Sequence, residues 1–250
     1  MRRFAELYQA LDASTATTTK VAALVQYLGT APPADAAWAV YFLAGGRPRQ
    51  VMPTALLREL ACQQAGIDDW LFEACYQAVG DLAETIAHVL PPAVPGQPGG
   101  EWPDDGLAVW VEQRLLPLRG LPPAEQAQRA GQALAALDAA GRFLYIKLIG
   151  GGFRVGVSKL LVQRALAQVA GVDAKCMAQR LVGWTDARAT PSASRWQALV
   201  VPWDGNPGAA VDPSALGLPY PFFLAHALAG EPEALGPCHG WLVEWKYDGI

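Results

Sequence analysis

Apolar residues return every three or four positions along most of this chain, and period-two alternation is almost absent before residue 215. A helix repeats every 3.6 residues and a strand every two, so the pattern predicts helices that each bury one face. Phe4, Leu7, Tyr8 and Leu11 share such a face over Arg2 to Leu11. Ser14 to Thr19 is a cluster of capping residues, expected to open a helix from Lys20 to Leu28 that Gly29 closes. Pro32-Pro33 starts a third helix, through Trp38, Tyr41, Phe42 and Leu43 to Gly45-Gly46, and another follows Pro53. Asp68 or Asp69 caps one long helix carrying Trp70, Leu71, Cys75, Val79, Leu82 and Ile86, which Pro91 and Pro92 end. A Pro/Gly-rich acidic loop is expected from Pro91 to Gly106. Helical spacing resumes over Leu107 to Leu116, Pro123 to Ala140, Arg142 to Ile149 and Val157 to Val169. Asp173 caps a further helix ending near Gly183, and a last one covers Ser192 to Val200. The expected fold class is all-α, a multi-helix body over residues 1–202.

Composition narrows the class. With 52% hydrophobic and 17% charged residues in 250, the chain can bury a core and is not disordered. It holds no apolar run of about 18 residues, so no membrane helix is expected. Glu6 follows Arg2-Arg3 too closely for a signal peptide. The four cysteines, Cys62, Cys75, Cys176 and Cys238, lack zinc spacing, and His88, His226 and His239 form no cluster. No protein-held metal site is expected, and Cys238-His239 reads as a loop. Free thiols fit a cytosolic protein.

A net charge of −4 argues against a generic polyanion binder, but the charges are unevenly placed. Residues 61–138 hold eleven acids and three bases, whereas residues 139–172 hold five bases (Arg142, Lys147, Arg154, Lys159, Arg164) and no acid. Within that basic stripe lies Lys147-Leu148-Ile149-Gly150-Gly151-Gly152-Phe153-Arg154-Val155-Gly156-Val157-Ser158-Lys159. Glycines let backbone approach a ligand, and amides at a helix N-terminus attract anions. The Gly-Lys-Ser/Thr ending of a Walker loop is missing. On physics alone two readings stay open: a phosphodiester contact, or a glycine-hinged helix pair with a solvated basic face. Thr17-Thr18-Thr19-Lys20 is a second candidate anion site, against a plain N-cap. The aromatic residues Trp38, Tyr41, Phe42, Trp70, Phe72, Trp110, Phe143, Tyr145 and Trp184 sit at helical spacing among apolar neighbours and read as core.

After Pro202 the composition shifts to Pro, Gly and small residues, with Pro219 to Ala225 as an expected linker and docking segment. Trp241 to Trp245 is the first convincing strand, followed by Lys246-Tyr247-Asp248-Gly249. A lone strand leaves its backbone groups unpaired, so the chain is expected to be the front part of a longer protein. Lys-x-Asp-Gly also describes a polar hairpin turn. It resembles, however, the surroundings of the nucleophilic lysine in nucleotidyltransferases, where an amine attacks the α-phosphate of ATP. Such an amine must be neutral at the moment of attack, against an ordinary lysine pKa of about 10.4.

Taken together, three segments resemble the N-terminal region of ATP-dependent DNA ligases of the multi-domain bacterial and archaeal type, over nearly the whole chain. They are Gly80-Asp81-Leu82-Ala83-Glu84, the stretch from Lys147 to Ala167, and Glu244 to Gly249, in this order and spacing. Pro221-Phe222-Phe223-Leu224-Ala225 is similar to the Pro-x-x-Leu-Ala segment ahead of the adenylation domain. The resemblance implies a helical DNA-binding domain at 1–202 and, at 203–250, a linker and the start of a nucleotidyltransferase domain. It implies Lys246 as the adenylated nucleophile and Glu244 as the adenine contact, with Asp248 and Gly249 completing the nucleotide motif. ATP and Mg²⁺ are the implied cofactors, and nicked double-stranded DNA is the implied partner of a monomeric enzyme acting in repair, replication or recombination. A cytoplasmic, nucleoid-associated bacterial location goes with that role.

DNA contact is expected at Lys147, Gly151, Gly152, Arg154, Gly156, Ser158 and Lys159, and at Thr18 and Lys20. The remaining ligase motifs would follow Ile250, so this chain alone is expected to bind DNA without ligating. The competing reading is a non-catalytic helical scaffold that binds a protein through its acidic middle. RNA ligases and capping enzymes share Lys-x-Asp-Gly but not the long helical preface.

Overall fold

Every expected helix in the first 200 residues has a counterpart, with boundaries set by caps and prolines. The computed structural model describes residues 1–48, 50–92, 105–150, 153, 155–186, 190–202, 230–232 and 236–241. Among them are twelve α-helices and no strand. The chain divides into two compact units, Met1–Pro219 and Tyr220–Ile250.

Helix α1 (Arg2–Asp12) turns Phe4, Leu7, Tyr8 and Leu11 inward, as their spacing requires. Helix α2 (Thr17–Thr30) starts three residues earlier than the sequence suggests and runs through Gly29. Pro32 supplies the stop instead, because a residue before proline is pushed to extended backbone and Ala31 adopts it at ψ 149°. Helix α3 (Pro33–Leu43) is buried along nearly its whole length, from Asp35 to Leu43. It forms the centre of the body. Helix α4 (Thr54–Ala65) ends at Gly66 in the left-handed conformation.

The long helix expected from Asp68 to Pro91 is two helices, α5 (Asp69–Val79) and α6 (Leu82–Val89). Gly80, at φ 80°, ends α5. Asp81 then caps α6 by accepting from the Glu84 amide at 3.0 Å. The Gly-Asp pair read as helix-interior is therefore a helix stop followed by a helix start. The same happens over Pro123 to Ala140. Helix α8 (Pro123–Ala136) stops, and Asp138 caps α9 (Ala139–Ile149) by accepting from the Gly141 amide at 2.8 Å.

Helix α7 (Leu107–Val109) passes into a π-helical turn, Trp110–Leu115, and a 3₁₀ turn, Leu116–Leu118. Pro117 has no N–H for the α-ladder, and Tyr145 donates its hydroxyl to the Arg114 carbonyl at 2.9 Å. The start of α7 is satisfied by buried Asp35, whose Oδ1 accepts from the Ala108 amide at 2.8 Å. Helices α10 (Lys159–Ala170), α11 (Ala174–Arg180) and α12 (Ala193–Val200) complete the body, capped by Ser158, Asp173 and Ser192.

One continuous apolar core joins these elements, with Phe4, Phe42, Phe72 and Tyr145 fully buried. Each such side chain contributes about 1.5–3 kcal/mol of burial. Among the described residues no helix is long and apolar enough to cross a membrane. In the second unit the described residues include a 3₁₀ turn, Cys238–Gly240, and exposed Trp241. The rest of the expected strand and the Lys-x-Asp-Gly motif lie outside the described residues.

Candidate nucleic-acid interface

Helix α2 begins without a side-chain cap, since Ala16 stands at the N-cap position. Its first amides therefore have no intrahelical acceptor. Thr17, Thr18 and Thr19 are exposed there. No acid sits in the first turn to neutralise the positive end of the helix.

Lys20, in the same turn, points the other way. It is 8% exposed, and its Nζ donates to the Gly156 carbonyl at 2.9 Å and the Val155 carbonyl at 3.3 Å. Those carbonyls lie just ahead of α10, whose N-cap Ser158 accepts from the Leu161 amide at 3.3 Å. Lys159 and Leu160 in its first turn are exposed, and again no acid is present. The N-termini of α2 and α10 are thus joined through one side chain.

The loop between α9 and α10 is anchored to the core. The Phe153 ring stacks on Phe4 at 5.5 Å and meets Tyr8 edge-on at 5.2 Å. Val155 is buried. Burial pushes the Tyr8 hydroxyl up to about 12, with the nearby carboxylates of Asp12, Asp81 and Glu84 adding to the shift. Gly156 has φ 62°, and a Cβ there would lie 2.9 Å from Lys20 Nζ. The left-handed φ favours glycine, and a Cβ would also displace the end of the Lys20 side chain from its seat.

The basic stripe is not one face. Arg142 is buried and donates to the carbonyls of Leu134 at 2.8 Å and Pro91 at 2.7 Å. Lys147 forms an ion pair with Asp81 and lies 5.2 Å from the centre of the Phe143 ring. Burial works against ionising Asp81. The hydrogen bond from Lys147 and the amides of Glu84 and Ala83 outweigh it and hold the carboxyl below the usual aspartate range. Lys159 and Arg164 face solvent.

Of the expected DNA contacts, the structure thus brings Thr18, Lys20, Gly156, Ser158 and Lys159 to one region and gives Lys147 a carboxylate partner. Gly151, Gly152 and Arg154 lie outside the described residues, as do Glu244, Lys246, Asp248 and Gly249. Among the described residues no group of three or more His, Cys, Asp or Glu side chains is placed to hold a metal ion. A groove of about 960 Å³ runs between α4 and α8 and is lined by residues such as Leu56, Gln63 and Gln128. It does not include the region described above.

Sequence reading misplaces two residues. It puts Asp81 in a motif but not beside Lys147, and it expects Lys20 as a DNA contact, whereas the structure buries its ammonium against the Val155 and Gly156 carbonyls. A lysine in the first turn of a helix opposes the macrodipole, which was the available hint.

The family described as DNA ligase N terminus matches residues 1–167 of this chain. That span runs from the start of α1 into α10 and includes the whole region above. A search of curated proteins found no match.

Proposed function

The chain belongs to the DNA ligase N-terminus family, and from that premise we propose that its helical body binds nicked duplex DNA through the first turns of α2 and α10 and the loop before α10. The observation that carries this reading is the junction made by Lys20, which unites two acid-free helix starts with exposed Thr17, Thr18, Thr19 and Lys159. Amides and dipoles at helix N-termini attract phosphate, and contacts of this kind position a protein on DNA without reading base identity. The absence of any acid from residue 139 to 172 removes local repulsion. Gly151, Gly152, Arg154, Gly156 and Ser158 belong to the same proposed contact by sequence. Lys147, which sequence alone assigns to phosphate, is engaged by Asp81.

The nucleotide half of the reading rests on sequence alone. In it, residues 1–202 form the DNA-binding domain and residues 203–250 the linker and start of an adenylation domain. Lys246 is the nucleophile, Glu244 the adenine contact, and Asp248 and Gly249 complete the motif. ATP supplies the adenylyl group, and Mg²⁺ offsets phosphate charge during in-line displacement. The parent activity is sealing of nicks in DNA.

The test is a titration of the chain against a nicked duplex and its intact counterpart at two salt concentrations. Binding to the nicked duplex that weakens with salt is expected. Lys159→Ala should reduce the salt slope by about one unit, the equivalent of one phosphate contact. No binding at low salt would overturn the reading, and a slope unchanged in an Arg154→Ala, Lys159→Ala double variant would move the interface elsewhere.

A further inference from the structure

Lys20 is an unusual use of a cation. It is 8% exposed, its described hydrogen-bond partners are two backbone carbonyls, and among the described residues no carboxylate pairs with it. It also stands at the positive end of its own helix. Burying a charge without an opposite charge is costly, and the helix dipole adds to that cost. An apolar side chain could fill the space more cheaply but could not hold two carbonyls.

What it holds is the last turn of the loop before α10. Carbonyls 155 and 156 are pinned by Lys20, and Phe153 is seated against Phe4, Tyr8 and Phe42. Arg154 is flanked in the chain by two anchored residues, Phe153 and Val155. A Cβ on Gly156 would lie 2.9 Å from the ammonium, so the end of the Lys20 side chain would have to shift to admit it. Pinning the carbonyls inward turns the opposite side of those peptide units, the N–H side, away from Lys20.

We infer that Lys20 is a positioning residue, whose buried ammonium clamps the Val155 and Gly156 carbonyls and so sets the loop and α10 start in the geometry that meets DNA phosphate. This rests on the DNA-binding reading proposed above and replaces a direct phosphate contact by Lys20 with an indirect one. Preorganising a binding loop raises affinity by removing an ordering cost from the binding step. A direct contact and a clamp therefore predict different behaviour. A direct contact releases a counterion from the DNA and adds independently to other contacts. A clamp acts through the loop, so its loss and the loss of loop charge overlap.

The experiment uses the full chain with Lys20→Met, Gly156→Ala, Lys159→Ala and the Lys20→Met, Lys159→Ala pair. Amide hydrogen exchange is read first, without DNA. Lys20→Met and Gly156→Ala should both speed exchange at Phe153, Val155, Gly156 and Val157 while the interiors of α2 and α10 stay as protected as in the parent. Gly156→Ala disturbs the same contact from the loop side but also strains the left-handed backbone there. Unchanged loop exchange in it therefore overturns the clamp, and faster exchange supports the clamp only together with the same result in Lys20→Met. Titration with a nicked duplex follows. Lys20→Met should weaken binding about tenfold, and the paired variant should be weakened by less than the product of the two single losses.

Unchanged exchange in the loop overturns the clamp. Full additivity with Lys159→Ala, together with a salt slope reduced by about one unit in Lys20→Met, overturns it in favour of direct contact. Unchanged affinity in a variant with a loosened loop overturns the link to DNA. Absence of DNA binding by the parent chain defeats the functional reading and this link with it, while the exchange data still decide whether the clamp exists.

Discussion

Asp81→Ala tests how strongly the junction between α5 and α6 is tied to α9. The Asp81 carboxylate accepts from the Glu84 amide at the start of α6 and pairs with Lys147, 66 residues away in the chain. Losing the cap costs about 1 kcal/mol. Losing the ion pair leaves the Lys147 ammonium without its acceptor. The two side chains are 18% and 35% exposed, so water screens the pair, and the lower end for a charged hydrogen bond, about 1.5 kcal/mol, applies. The sum is about 2.5 kcal/mol, or about 5–10 °C in Tm for a body of this size. Asp81→Asn keeps the capping oxygen and loses the charge, so it should cost only about 1.5 kcal/mol. Urea unfolding followed by far-UV circular dichroism at neutral pH measures both. A loss below about 0.5 kcal/mol in Asp81→Ala, the level of an ordinary surface change, would refute the reasoning. So would an equal cost for Asn and Ala, since the cap would then contribute nothing. The pH dependence has a fixed sign. The folded carboxyl titrates below the unfolded one, so its stabilisation is complete above the unfolded value of about 4 and is lost as pH falls through the folded value. The stability gap between the parent and Asp81→Asn should therefore close on acidification below about pH 4.

Further expectations follow from the buried polar contacts. Arg142→Met strands the buried carbonyl of Leu134 and takes the donor from those of Leu90 and Pro91, and should cost about 2–4 kcal/mol in urea unfolding; a loss under 1 kcal/mol would mean that water replaces the guanidinium. Gly106→Ala drives a methyl group into the Asp35 carboxylate that caps α7, with an expected loss of about 1–3 kcal/mol; unchanged stability would show that Asp35 can leave the α7 amide freely. Ser158→Ala removes the cap of α10 and should lower stability by about 1 kcal/mol; binding to nicked duplex should fall with it only if the α10 start meets phosphate.

Periodicity by itself determined that this body is helical and most of its buried faces, because 3.6-residue spacing is a local property of the chain. It failed on α5, where Trp70, read as core, is 69% exposed, Leu71 and Val79 are exposed too, and Phe72 is buried instead. Phe4, Leu7, Tyr8 and Leu11 declare the inner face of α1 without any knowledge of what covers it. Helix ends were also written locally. The Gly80-Asp81 break was legible as a glycine stop followed by an aspartate start with Glu84 three residues on, and was missed because apolar spacing continues across it. Charge direction was not legible. Five bases from residue 139 to 172 look alike in sequence, yet Arg142 turns to buried carbonyls, Lys147 to Asp81, and Lys159 and Arg164 to solvent. Lys20 meets carbonyls 135 and 136 residues away. Such choices depend on which backbone groups and carboxylates the packed helices bring within reach of a long, flexible side chain. Only the tertiary structure decides that, because a side chain's partner is set by distance in space while its periodicity is set by distance along the chain.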